Sequence, residues 1–71
     1  LSIYPNPSSD FIKFNTNEIE SVCIFDLSGR LVINIPEYNG SPIDISKLNH
    51  GTYLAKIRSN GTSITKKIVK K

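Results

Sequence analysis

Turn-forming clusters recur along this chain at intervals that leave room for strands and little else. Pro5-Asn6-Pro7, Asn15-Thr16-Asn17, Ser28-Gly29, Asn39-Gly40-Ser41-Pro42, Asn49-His50-Gly51 and Asn60-Gly61 divide its 71 residues into short runs. Turns spaced about 8 to 12 residues apart mark an all-β sandwich or barrel. The one helical candidate, a turn over Ile43–Leu48 capped by Asp44 or Ser46, is ended within a few residues by Asn49 and Gly51.

The runs between the turns predict seven strands: Leu1–Tyr4, Phe11–Phe14, Ser21–Leu27, Arg30–Asn34, Ile43–Ile45, Thr52–Arg58 and Thr62–Val69. Their residue types agree, because eleven Ile and three Val outweigh five Leu and one Ala, and β-branched side chains suit a pleated, half-buried surface. Ser28-Gly29 predicts a two-residue hairpin closed by Asp26, and Asn60-Gly61 a second one with stronger turn chemistry, since both residues tolerate positive φ. Pro5 and Pro7 close the first strand and hold the chain extended.

Alternation assigns faces. Tyr53, Ala55 and Ile57 are expected in the core, with Leu54, Lys56 and Arg58 opposite; Leu31 and Ile33 share a face. The third run is apolar on both faces, which predicts a central strand partly covered outside, with Cys23 in the core. In the last run Ile64 and Ile68 share parity but Val69 breaks it, so a bulge near Lys66 and Lys67, or an inserted terminal strand, is expected. A chain of this size forms one domain, residues 1–71, and buries only about 60% of its unfolded surface, which limits its stability to a few kcal/mol.

The net charge of +3 conceals a split. Residues 1–44 carry Lys13 and Arg30 against Asp10, Glu18, Glu20, Asp26, Glu37 and Asp44, a balance of −4. Residues 45–71 carry Lys47, Lys56, Arg58, Lys66, Lys67, Lys70 and Lys71 with no acid, a balance of +7. A basic segment attracts anionic partners; edge lysines equally discourage sheets from joining. Nucleic acid is an unsuitable partner, because single-strand binders display stacking aromatics among their cations and Tyr53 falls on the face expected to be buried.

Catalysis is not expected, on similar grounds. One Cys and one His stand in unrelated settings, Glu18 and Glu20 lie in a polar approach to a strand, and no Gly-rich phosphate loop or metal-ligand spacing occurs. Catalytic, cofactor and metal residues are therefore expected to be none, with His50 a turn residue. Cys23 has no partner for an internal disulfide. No stretch reaches the roughly 20 apolar residues that span a bilayer, so direct membrane insertion is not expected. Without an initiator Met, the chain is expected to be a piece of a longer protein whose export signal would lie upstream.

Four motifs then appear in order: Leu1-Ser2-Ile3-Tyr4-Pro5-Asn6-Pro7-Ser8-Ser9-Asp10; Ile24-Phe25-Asp26-Leu27-Ser28-Gly29-Arg30-Leu31-Val32; Ile43-Asp44-Ile45-Ser46-Lys47-Leu48 leading to Gly51-Thr52-Tyr53-Leu54; and Thr65-Lys66-Lys67-Ile68-Val69. Together they cover essentially the whole chain, and in this it resembles the type A C-terminal sorting domain of the type IX secretion system of Gram-negative bacteria. The resemblance implies an immunoglobulin-like antiparallel β-sandwich of about seven strands, with a cargo protein upstream. It also implies recognition by the type IX outer-membrane translocon, passage through the periplasm to the cell surface, and removal by a sortase that can anchor the cargo to lipopolysaccharide. By position, Gly29, Asp44, Leu48, Gly51 and Tyr53 match motif residues expected to specify the fold, while Pro5, Asn6, Pro7, Lys66, Lys67, Lys70 and Lys71 are expected to carry recognition. The domain is expected to be a monomer, with edge-strand pairing as the alternative. The competing function is a small adhesion or carbohydrate-binding module displaying Tyr4, Tyr38 and Phe11.

Overall fold

A computed structural model describes residues 1–71. Seven strands and no helix form the fold: β1 (Ile3–Tyr4), β2 (Phe11–Phe14), β3 (Ile19–Asp26), β4 (Leu31–Ile35), β5 (Ile43–Asp44), β6 (Gly51–Ser59) and β7 (Thr62–Lys70). They make two antiparallel sheets, ordered β1-β2-β5 and β4-β3-β6-β7. Ile12, Phe14, Ile43 and Ile45 from the small sheet and its flank meet Val22, Ile24, Tyr53, Ala55, Ile57 and Ile68 from the large one in a single buried cluster that Ile19 completes. Isoleucine supplies seven of these eleven side chains, so branched side chains both favour the strands and fill the space between the sheets.

Local chemistry fixes the connections. Asn60 (φ 51°) and Gly61 (φ 76°) join Ser59 to Thr62, the paired positive φ values of a type I′ hairpin. The β3–β4 connection departs from the two-residue expectation. Asp26 N–H donates to Arg30 O at 2.9 Å, so Leu27, Ser28 and Gly29 form a three-residue loop, and Gly29 at φ 93° supplies the left-handed step that such a loop requires.

Other departures concern where the ladder is irregular. β6 and β7 pair without interruption from Gly51↔Lys70 to Ser59↔Thr62, so β7 has no bulge at Lys66 and Lys67. The register shifts lie elsewhere: Val32 of β4 is the extra residue opposite Ile24 and Phe25, and Glu20 of β3 is the extra residue opposite Arg58 and Ser59 of β6. Val69 simply faces outward and half-buried, and single apolar residues on a surface need no special accommodation. β3 is central, but Cys23 lies on its outer, half-buried face, where Sγ meets Asn34 Oδ1 at 3.4 Å. The core face of β3 belongs to Val22 and Ile24.

Candidate functional site

The two stretches expected to carry recognition, residues 5–7 and 66–71, lie at opposite ends of the chain and side by side in the fold. Residues 5–7 bend instead of running straight, and both the Tyr4–Pro5 and Asn6–Pro7 peptide bonds are cis. Past this bend the chain leaves the small sheet and meets the free side of β7. There the Asn6 side chain acts as a strand surrogate: Nδ2 donates to Lys67 O at 3.0 Å and Oδ1 accepts from Val69 N–H at 2.9 Å. Ser8 continues the pairing, donating from N–H to Val69 O at 3.0 Å and accepting from Lys71 N–H at 2.8 Å, as a parallel bridge to β7. Ser8 is only 2% exposed, and its hydroxyl donates to Phe11 O, so this buried polar residue is fully satisfied.

The clamp explains why β7 has two different halves along its outer side. By the period-2 alternation of a ladder, the bonds at Lys67 and Val69 place the backbone N–H and C=O groups of odd-numbered β7 residues away from β6. Asn6 and Ser8 satisfy those groups from Lys67 O to Lys71 N–H. At Ser63 and Thr65 nothing pairs with them, and the strand presents an open edge.

Alternation also divides the lysines. Lys66 and Lys70 share the inward face with Ile64 and Ile68 and are half-buried, while Lys67 is exposed on the outer face. Beside it on the same outer face stand Lys56 and Arg58 of β6, whose register partners are Thr65 and Ser63. The exposed positive patch is therefore Lys67 with Lys56 and Arg58. The two β6 cations were absent from the expected recognition set, although the alternation of β6 already placed them outward. No carboxylate lies within salt-bridge distance of any of them; the sole ion pair joins Arg30 Nε to Asp26 Oδ2 at 3.2 Å. Lys71 is exposed beyond the end of β7.

The remaining motif residues sit in turns and packing. Asp44 Oδ1 accepts from Ser46 N–H, and Leu48 N–H donates to Ile45 O in a single turn that rests Leu48 against the core. Gly51, at φ 145°, lets the chain enter β6. Two residues on, Tyr53 is buried and its hydroxyl donates to Asn49 O at 2.6 Å, the arrangement of the tyrosine corners of β-sandwiches. His50 is exposed in the loop before β6. Of the aromatics weighed for glycan binding, Tyr4 and Phe11 are about half exposed. Tyr38 is otherwise engaged: its ring packs edge-on against Phe14 at 5.4 Å and its hydroxyl donates to Ser41 O. No three His, Cys, Asp or Glu side chains gather where a metal could be held.

Two carboxylates titrate abnormally. Hydrogen bonds from Ser28 and from Arg30 N–H hold Asp26 below the usual carboxylate range, and hydrogen bonds from Ser46 do the same for Asp44. A group more acidic when folded stabilises the fold above its unfolded value, about 3.9 for Asp, and loses that contribution as pH falls through the lower folded value. The urea midpoint is accordingly expected to be flat from neutral pH to about 5 and to decline below about 4. In the Asp26→Asn variant that decline is expected to be shallower; an unchanged acid limb would show that this carboxylate carries none of it.

The family model for the secretion system C-terminal sorting domain matches residues 2–71. No curated protein matches the chain.

Proposed function

Since this chain belongs to the secretion system C-terminal sorting domains and is a sorting signal of the type IX pathway, we propose that the surface shared by Pro5–Ser8 and β7 is what the outer-membrane translocon reads. The observation that carries this reading is the direct contact of Asn6 with Lys67 and Val69, which assembles residues from both ends of the chain into one exposed site. Its cations, Lys56, Arg58, Lys67 and Lys71, are exposed and unpaired, so they are available to an anionic partner. The cargo upstream passes through the periplasm and is carried by this domain to the cell surface. A surface sortase then removes the domain and can attach the cargo to lipopolysaccharide, so that the domain is a substrate and not a catalyst.

The test is a periplasmic reporter fused, through an upstream linker, to residues 1–71 in a host with the type IX system. The reporter is expected at the cell surface; periplasmic retention, while another sorting domain exports it, would overturn the proposal. Deleting the last strand is an unsuitable control, because Ile68 is 1% exposed and belongs to the core. Changing Lys66, Lys67, Lys70 and Lys71 together to Gln removes charge and keeps the strand. This variant is expected to fold by circular dichroism and to lose most surface display. Undiminished display would reduce these lysines to edge protection.

A further inference from the structure

The open half of the β7 edge is unlike the other free edge of its sheet. β4, at the opposite side, carries no charged residue from Leu31 to Ile35. β7 presents unpaired backbone groups at Ser63 and Thr65, together with the Lys67 N–H, between two sets of cations. Lys67, with Arg58 and Lys56 one strand behind, lies on the outer face; Lys66 lies on the inner face. An edge strand is a template for a further strand. A neutral strand laid here gains the backbone bonds but desolvates Lys66 and Lys67 without compensation. A basic strand meets like charges directly across the pair, which is destabilising, and a second copy of β7 would add its own lysines to an edge already positive.

We infer that the Ser63–Lys67 edge accepts an extended acidic segment of a partner protein as an added strand, with acids alternating onto both faces to meet Lys67 outside and Lys66 inside. This rests on the reading of β7 as the recognised surface and adds how recognition is made. The clamp supplies the limit of the site: Asn6 occupies Lys67 O, so the added strand ends there and the register is fixed from one side. At the other end Glu18 and Glu20 are already engaged with Asn60 Nδ2 and Gly61 N–H, on the β3 side of the hairpin, and leave the outer edge clear. The lysines that keep neutral edges apart thus become a filter that admits only acidic strands.

The probe is a short synthetic peptide with two adjacent Glu residues flanked by Val and Thr, so that one carboxylate falls on each face of the added strand, titrated into the intact domain and followed by two-dimensional amide NMR. Shift changes and new protection from exchange are expected at Ser63, Thr65 and Lys67, with weakening as salt is raised and no binding by the same peptide with Lys for Glu. Changes confined to another face, or equal binding of the Lys peptide, would overturn the inference. Thr65→Pro removes an outward N–H that no intramolecular bond uses, a position where an edge strand tolerates proline. It is expected to weaken binding about tenfold, the loss of roughly one well-made hydrogen bond; unchanged affinity in the folded variant would also overturn it. Should that variant fail to fold, Lys56→Glu with Lys67→Glu replaces it, with loss of peptide binding expected and retention counting against the inference. Surface display separates the two readings: peptide binding at the edge together with normal export of the lysine-to-Gln variant sinks the sorting surface alone. Loss of export in that variant together with no peptide binding sinks the added strand alone.

Discussion

Replacing Ile24 by alanine is expected to leave most of the domain unfolded at room temperature. Ile24 is fully buried on the central strand, opposite Ile33 of β4 and Ala55 of β6. Ala55 is also fully buried and has no side chain that can swing into the space. Deleting a buried isoleucine costs about 2 to 5 kcal/mol, most where neighbours cannot collapse. A domain of this size has only about 3 to 5 kcal/mol from its core to lose. Amide NMR spectra of the variant are expected to show mainly unfolded resonances, whereas Leu27→Ala, at a side chain 68% exposed, is expected to shift the urea midpoint within about 0.5 kcal/mol of stability. A midpoint for Ile24→Ala close to the wild type would mean that the two sheets do not pack as described.

The second large effect is expected at Asn6, a residue that is itself exposed. Asn6→Ala removes both side-chain bonds to β7, at about 0.5 to 1.5 kcal/mol each. The loss is local in origin, so amide exchange is expected to accelerate first at Val69 and the neighbouring end of β7, with the β3–β6 centre retaining its protection. Surface display of a fused reporter is expected to fall with it. Asn6→Asp separates the two bonds, because a carboxylate can still accept from Val69 N–H but offers no donor to Lys67 O. It is expected to lie between wild type and Asn6→Ala. Uniform acceleration throughout the domain, or none at Val69, would remove Asn6 from the role of clamp.

These two positions also show what a sequence reveals. Ile24 belongs to a run that is apolar on both faces, and alternation alone leaves open which parity faces the core; the register with β4 and β6 decides it and puts Cys23 outside. β6 was readable because its outer positions are Leu54, Lys56 and Arg58, two of them charged, so the buried parity of Tyr53, Ala55 and Ile57 stands out. The three-residue loop at Leu27–Gly29 was masked because Gly29 serves two-residue and three-residue hairpins alike. The irregularities at Glu20 of β3 and Val32 of β4 carry no glycine to announce them. Asn6 was visible as part of a motif, but its partners are 61 and 63 residues away, and no local pattern encodes so distant a bond. The division of the lysines between two faces, by contrast, follows from parity in β7 as soon as the strand is known to be regular.

The clamp has a consequence in time. Because Asn6 and Ser8 hold Lys67, Val69 and Lys71, the early segment must wait for β7 to be synthesised before its backbone partners exist. Closing the loop between such distant residues costs chain entropy, and contacts of this kind slow folding. A chain stopped before β7 can form the β3–β4 hairpin yet can never assemble the exposed surface proposed for export. The outer edge of β7 as it stands in the fold therefore depends on residues 6 and 8 as much as on β7 itself.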